Sequence, residues 1–308
     1  MTFILAILAI YIVYNAFTVN VFVGIGAILI LLVYAYFKWF SNFCISRAKK
    51  VYGKDPEKAL FWFERAEKHR MNIGQMETYA FYLMREGKVE KAEEIYGKLL
   101  KAGLKPELRL KIRSEYAVFL SKTGRIDEAI AELEDITVHY TNTVTYGSLG
   151  YLYLLKDSVR KAVNYNKEAY DYNSDDPVIL DNMTQLYIKL GDYNQAKKYA
   201  DEMLGKKPYF AEAYYDSAYV YLMLGDTERA RELIEDAKCC RLTFMSTVKE
   251  EDIEKLEKAI DKNDKQFAHK LGKFSGEEEY SEEDFENLPE IEEEKEEDEY
   301  YDEDDPFI

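Results

Sequence analysis

The residues able to carry chemistry are few and scattered. His69, His139 and His269 stand far apart, and none has a cysteine or carboxylate at the spacing of a metal site. Cys44, Cys239 and Cys240 likewise make no ligand pattern; the neighbouring pair does not close an unstrained bridge on itself, and three thiols fit a reducing compartment. There is no glycine-rich phosphate loop, and acid pairs such as Glu93-Glu94 and Asp175-Asp176 read as solvated faces and turns. These residues call for no enzyme, no metal and no cofactor; a composite site assembled across helices is the catalytic alternative left open. The chemistry to be placed is therefore binding, and it turns on what positions the polar and aromatic side chains.

Charge divides the chain before any element is assigned. The net charge of −17 over 308 residues belongs to one end: Gly276–Ile308 holds 19 acidic residues and one lysine, while the remaining 39 acids and 40 bases nearly cancel. So acidic a segment cannot bury enough apolar surface to offset its ordering entropy, so disorder is expected over 273–308. Phosphate repels it, which argues against nucleic acid as its partner. Its spaced apolar residues, Tyr280, Phe285, Leu288, Ile291 and Phe307-Ile308, suit docking to a basic partner, with a merely solubilising tail as the alternative.

The middle of the chain repeats. Pro177–Phe210 and Ala211–Phe244 are each 34 residues long. Leu180, Met183, Tyr187, Leu190-Gly191-Asp192 and Ala196 of the first match Tyr214, Ser217, Tyr221, Leu224-Gly225-Asp226 and Ala230 of the second. Two apolar-periodic stretches joined by a Gly-Asp turn at this period predict a helical hairpin that stacks on copies of itself. Earlier units are expected at Ile73–Arg109, Leu110–Asn142 and Thr143–Asp176, with a degraded one around Asp55-Pro56-Glu57-Lys58-Ala59 whose first helix is Ser41–Tyr52. Asp157 replaces the inter-helix glycine in one of them and tolerates the same left-handed backbone. Alanines recur at 59, 92, 129, 162, 196 and 230, where small side chains let two helices approach. After the last unit, Thr247-x-x-Glu250 has the form of a capping box, and Ile253, Leu256, Ile260, Phe267 and Leu271 share a stripe, predicting a helix over 245–272 that caps the stack.

From about Ser41 to Phe244 the chain resembles the tetratricopeptide repeat family. The expected fold is all-α, a helical-hairpin solenoid over 41–244, with a membrane anchor over 1–40. The resemblance implies a groove, lined by the first helix of each hairpin, that holds a protein segment. Groove-facing positions would then include Phe81, Tyr151, Asn182, Gln185, Tyr215 and Tyr219, beside Glu77, Glu115, Leu154, Asp181 and Asp216. Tyr215 and Tyr219, one turn apart, suit an apolar side chain; Asn182 and Gln185 suit a peptide backbone. The basic partners with which some members grip a terminal carboxylate are missing. Several of these tyrosines read equally well as packing between repeats.

Met1–Phe37 carries no charged side chain, which predicts a membrane segment. A cleaved signal peptide would want a basic start that this chain lacks. As one helix, 37 residues would reach about 55 Å against a hydrocarbon core of about 30 Å, so a hairpin turning at Asn15, Thr18 and Asn20 is favoured over a single span at Val21–Phe37. Lys38, Arg47, Lys49, Lys50 and Lys54 follow with no acid before Asp55, placing the repeats in the cytosol and the protein in the plasma (inner) membrane. Trp39, Phe40 and Phe43 would anchor the interface. The expected function is a membrane-anchored scaffold with protein or peptide partners; the alternative is an accessory subunit of a membrane assembly or secretion complex, touching its partners through hairpin or tail. The oligomeric state is open, although a polymer built by end-to-end stacking is disfavoured by the capped end.

Overall fold

A computed structural model describes the backbone of residues 2–266, with side chains from residue 9 onward except at 35, 37 and 38. The expected acidic tail, and the end of the expected capping segment, lie outside the described residues. Fourteen α-helices are described, and no strand occurs among the described residues. They are α1 (Thr2–Val19), α2 (Val21–Tyr52), α3 (Pro56–Glu67), α4 (Ile73–Arg85), α5 (Val89–Lys101), α6 (Pro106–Lys122) and α7 (Ile126–Thr137). Then follow α8 (Thr143–Leu155), α9 (Val159–Tyr172), α10 (Pro177–Leu190), α11 (Tyr193–Gly205), α12 (Ala211–Leu224), α13 (Thr227–Cys239) and α14 (Glu250–Lys262). They fall into two compact units: Met1–Phe119 with Thr243–Met245, and Leu120–Leu242 with the chain from Ser246.

In the first unit, α1 and α2 meet at Asn20, whose extended backbone breaks the helix while its side chain accepts the Phe22 N–H at 2.8 Å. No single described helix is long and apolar enough by itself to cross a membrane; Val21–Tyr34 and Trp39–Tyr52, bent by 45°, reach that length and composition together. Across that bend the backbone stays helical from Val21 to Tyr52, so the first helix of the degraded repeat continues the apolar segment. It is tied to α3 through Ser41, whose hydroxyl lies within reach of the carbonyls of Ala66, His69 and Arg70. Asp55 caps α3, accepting the Lys58 N–H at 2.9 Å, and Pro56 takes the first turn, where its missing amide hydrogen costs nothing. The unit's core stacks Phe63 on Tyr79, ring centroids 5.4 Å apart, and sets Tyr96 against Phe119 at 5.7 Å.

In the second unit the hairpins α8–α9, α10–α11 and α12–α13 follow one another. Each second helix starts after a sharp turn. Gly191 and Gly225 take φ of 81° and 96°, and Asp157 takes φ 52° at the equivalent place, with Lys189 Nζ 2.6 Å from its carboxylate. The left-handed turn predicted for Asp157 is thus observed, and its short polar side chain is what makes it tolerable. Asp192 and Asp226 then cap the second helices, accepting backbone N–H groups at 3.0 Å from Gln195 and Arg229.

Two expectations change at the carboxyl-terminal side. The helix expected over 245–272 begins at Glu250 and ends at Lys262, where Asn263 turns left-handed at φ 50°. The cap is at Lys249, not Thr247: Asp252 reaches back to accept the Lys249 N–H at 3.1 Å, while Thr247 is drawn away to a carboxylate on α12. Helix α14 still covers α13, burying Ile253, Leu256 and Ile260 and pairing Glu257 with Lys238 at 2.6 Å. The helix α6 also begins earlier than expected, at Pro106 rather than Leu110, as proline favours a first turn.

At Gly191 an added Cβ meets nothing within 4 Å, so substitution there isolates the cost of the left-handed backbone. Gly191→Ala should lower stability by about 1–2 kcal/mol in thermal unfolding followed by circular dichroism, and Gly191→Asn by clearly less.

Candidate peptide-binding site

The first helices of the second unit approach one another over glycine. On α8, a Cβ at Gly147 would come within 3.1 Å of Val178 Cγ1 of α10, and one at Gly150 within 3.1 Å of Asn182 Nδ2 of α10, with Asn166 Oδ1 of α9 nearer still at 2.2 Å. Into this close contact α10 sends Asn182, whose Nδ2 donates to the Gly147 carbonyl at 2.8 Å. Asn182 is only 1% exposed, so it fastens α10 to α8 and is not free to bind a peptide backbone as the spacing suggested. Tyr219 is also inward, 3% exposed, with its ring 6.3 Å from that of Tyr193, so the expected pairing of Tyr215 and Tyr219 around an apolar side chain is not formed. Leu154 is buried too.

What the face of α8, α10 and α12 does bring together is acid and phenol. Asp181 and Gln185 sit one turn apart on α10, Gln185 Nε2 donating to Asp181 Oδ2 at 2.9 Å. Asp216 on α12 lies within hydrogen-bonding reach of both Asp181 and Gln185. Glu212, one turn before it, is 9% exposed and accepts two bonds from Thr247: the backbone N–H at 2.5 Å and the hydroxyl at 3.2 Å. Tyr151 of α8 and Tyr215 of α12 border the cluster, both half-buried. Lys122, at the end of α6, holds its ammonium 5.6 Å from the Tyr151 ring and feels the charge of Glu212.

Burial sets the protonation here. Asp216 is pushed up to about 7 by desolvation and by the charge of Glu212, and Asp181 is raised for the same cause with Asp216 as its next-largest neighbour. Desolvation also carries Tyr151 up to about 12 and lowers Lys122. Two carboxyls in contact do not both ionise readily, so the Asp181–Asp216 pair holds a proton at neutral pH.

Phe81 belongs to the first unit. It is 43% exposed, with the Tyr82 ring 5.6 Å and the Arg85 guanidinium 5.8 Å away. In that unit Glu77 and Glu115 of α4 and α6 share Lys111, and burial together with Glu77 pushes Glu115 up to about 7. Trp39 and Phe43 are exposed, as are Arg47, Lys49 and Lys50 on the carboxyl-terminal half of α2; the side chain of Lys38 lies outside those described. Spacing missed the contribution of α3 to this end: Arg65 places its guanidinium 5.7 Å from the rings of Phe40, Phe61 and Trp62. The adjacent aromatics Phe61-Trp62 were the available signal. Glu212, Lys122 and Thr247 were missed as well; nothing local marks them, since only the fold brings α6, α12 and the segment after α13 to one place.

A tetratricopeptide repeat family model matches residues 187–238, from the end of α10 through α13. The fold is a tetratricopeptide repeat solenoid. Among solved structures it is similar to PilW, described as a widely conserved type IV pilus biogenesis factor, at 18% identity and a TM-score of 0.50, covering 65% of this chain and 92% of that one. It is also similar to human IFIT1, solved as a dimer with PPP-AAAA, at 20% identity and a TM-score of 0.54, over 71% of this chain and 54% of that one. These likenesses concern the fold. No curated protein matches the sequence. Solenoids of this type generally act as non-catalytic scaffolds for protein or peptide partners, and no enzyme family is indicated.

The raised carboxyls give the second unit an inverted pH response. Glu212 and Tyr215 on α12 and Tyr151 on α8 face them, while Lys122 on α6 faces Glu212 and Asp252 on α14 faces Tyr215. Asp216 binds its proton more tightly folded, near 7, than at its ordinary value of 3.8, so its contribution favours folding at low pH and is lost as pH rises between those values. The melting temperature should therefore rise when pH is lowered from 7.5 to 5.5, and Asp216→Asn should flatten that dependence.

Proposed function

We propose that this protein is a membrane-anchored scaffold whose repeats lie on the cytosolic side and bind protein segments across α8, α10 and α12. The observation carrying the binding part is a face that combines close helix packing with a row of polar and aromatic side chains on successive first helices. Tyr151 and Tyr215 offer phenol rings, Gln185 an amide, and Asp216 a carboxyl, all on successive first helices and all partly accessible. A face so built suits an extended segment, with main chain and side chains gripped at intervals set by the repeat.

Anchoring is supported by apolar surface. Ile10, Tyr14, Phe22 and Ile30 of α1 and α2 are each about 70–80% exposed, a cost in water that lipid removes. Beyond them the exposed aromatics and the cluster of Arg47, Lys49 and Lys50 suit a headgroup layer, with Arg65 stacked among rings as at an interface. The sign of that cluster supports the cytosolic orientation in the plasma (inner) membrane. The same exposed helices also suit contact with other membrane helices, which supports the accessory-subunit reading; PilW, similar in fold, is described as a type IV pilus biogenesis factor.

Orientation is checked with Cys239, which is exposed while Cys44 is buried. In a Cys240→Ser background, a membrane-impermeant maleimide should label Cys239 only after cells are opened; labelling of intact cells would contradict the cytosolic placement. Binding is checked by crosslinking and pull-down from membranes, where Tyr215→Ala should weaken capture of groove partners by about tenfold, the usual scale for losing an aromatic anchor.

A further inference from the structure

We propose that the carboxyls of Asp181 and Asp216 form a pocket for one cationic side chain, arginine or lysine, of the bound segment. The inference rests on the peptide-binding reading above and names the chemistry that this face selects.

The pocket is rich in acceptors, and the donors that reach them are the Gln185 amide and the proton the two carboxyls share. Asp181 is 6% exposed; Gln185 satisfies its Oδ2 at 2.9 Å, and its Oδ1 is buried without a hydrogen-bond partner. Buried carboxylate oxygens are costly to leave unmet, so an orphan oxygen beside a second carboxyl marks a place for a donor. Asp216 presents that second carboxyl from the next repeat, within hydrogen-bonding reach, and is the more accessible of the two. Glu212 adds a third acid but is held by Thr247, so it contributes field while its Oε1 is already engaged.

The resident cation does not fill the gap. Lys122 lies over the Tyr151 ring, with Glu212 as the acid whose charge reaches it, and it makes no bond to Asp181 or Asp216 among the described contacts. Without a cation the two carboxyls share a proton. An incoming guanidinium or ammonium exchanges for that proton and supplies several donors at once, meeting Asp181 Oδ1 and the Asp216 oxygens together. Tyr215 and Tyr151 beside the pocket would flank the aliphatic stem of such a side chain.

The test uses the full chain in nanodiscs and a library of blocked nonapeptides in which arginine, lysine or the uncharged isostere citrulline is fixed at each position in turn. Wild type should retain peptides with arginine or lysine at one preferred position, about tenfold or more over citrulline, the scale of a charged hydrogen bond. Asp181→Asn/Asp216→Asn should abolish that preference, and Asp216→Asn alone should reduce it, with helicity unchanged by circular dichroism. The acidic tail attracts basic peptides in every variant and without regard to position, so a preference that is positional and lost on substitution belongs to the pocket. Retention of peptides with no preference for a basic residue overturns the pocket and leaves the groove standing. A preference that survives both substitutions also overturns it, and a library that is not retained at all overturns the groove reading with it.

Discussion

Each hairpin depends on a second helix that carries only a methyl group at one fully buried position. Ala59, Ala92, Ala129, Ala162, Ala196 and Ala230 are all fully buried there. A methyl lets the helix axes come close enough for the larger neighbours, among them Phe63, Tyr96, Leu133, Tyr199 and Leu233, to be sealed away from water. The turn between the helices follows from the same constraint, because a close pair leaves room for only a few connecting residues; from α4–α5 onward those include one with a left-handed backbone. Glycine serves at Gly87, Gly124, Gly191 and Gly225, and aspartate at Asp157.

Stacking of hairpins then decides what the first helices can do. A repeat buries its hydrophobic residues mainly against its neighbours, so polar side chains on first helices meet polar side chains one repeat away. Asp181 and Asp216 come from successive first helices, α10 and α12, and so meet as acids where most solenoid positions meet as apolar pairs. Desolvation there is costly, and the cost shows in the raised carboxyls. Arrangements of that kind weaken a fold and are commoner at functional sites than elsewhere. The exposed apolar side chains of α1 and α2 pose a similar imbalance, one that an apolar medium would relieve.

The architecture was legible because repetition amplifies a weak signal. One Leu-Gly-Asp turn says little; the same turn displaced by 34 residues, with an alanine at a fixed offset after each, fixes a hairpin and its register. Asp157 was readable for the same reason, since the register showed which residue had to turn left. The site was less legible. Register assigns a residue to a helix face only to within a fraction of a turn, and that fraction separates Asp181 from Asn182: one meets the acid cluster, while the other donates to the Gly147 carbonyl of α8. Tyr215 and Tyr219 differ in the same way, one half-buried beside Asp216 and the other sealed against Tyr193. Thr247 misled because a threonine three residues before a glutamate has the same local form whether it caps a helix or reaches across to Glu212. Only the tertiary structure distinguishes the two.

Binding on the face of α8, α10 and α12 requires a partner to lie beside Tyr215. A photoreactive phenylalanine analogue placed at position 215 in the full chain and irradiated in native membranes tests that directly. The expected adduct maps to a single short segment of another polypeptide. Adducts confined to this chain's own residues, or to lipid, would contradict it.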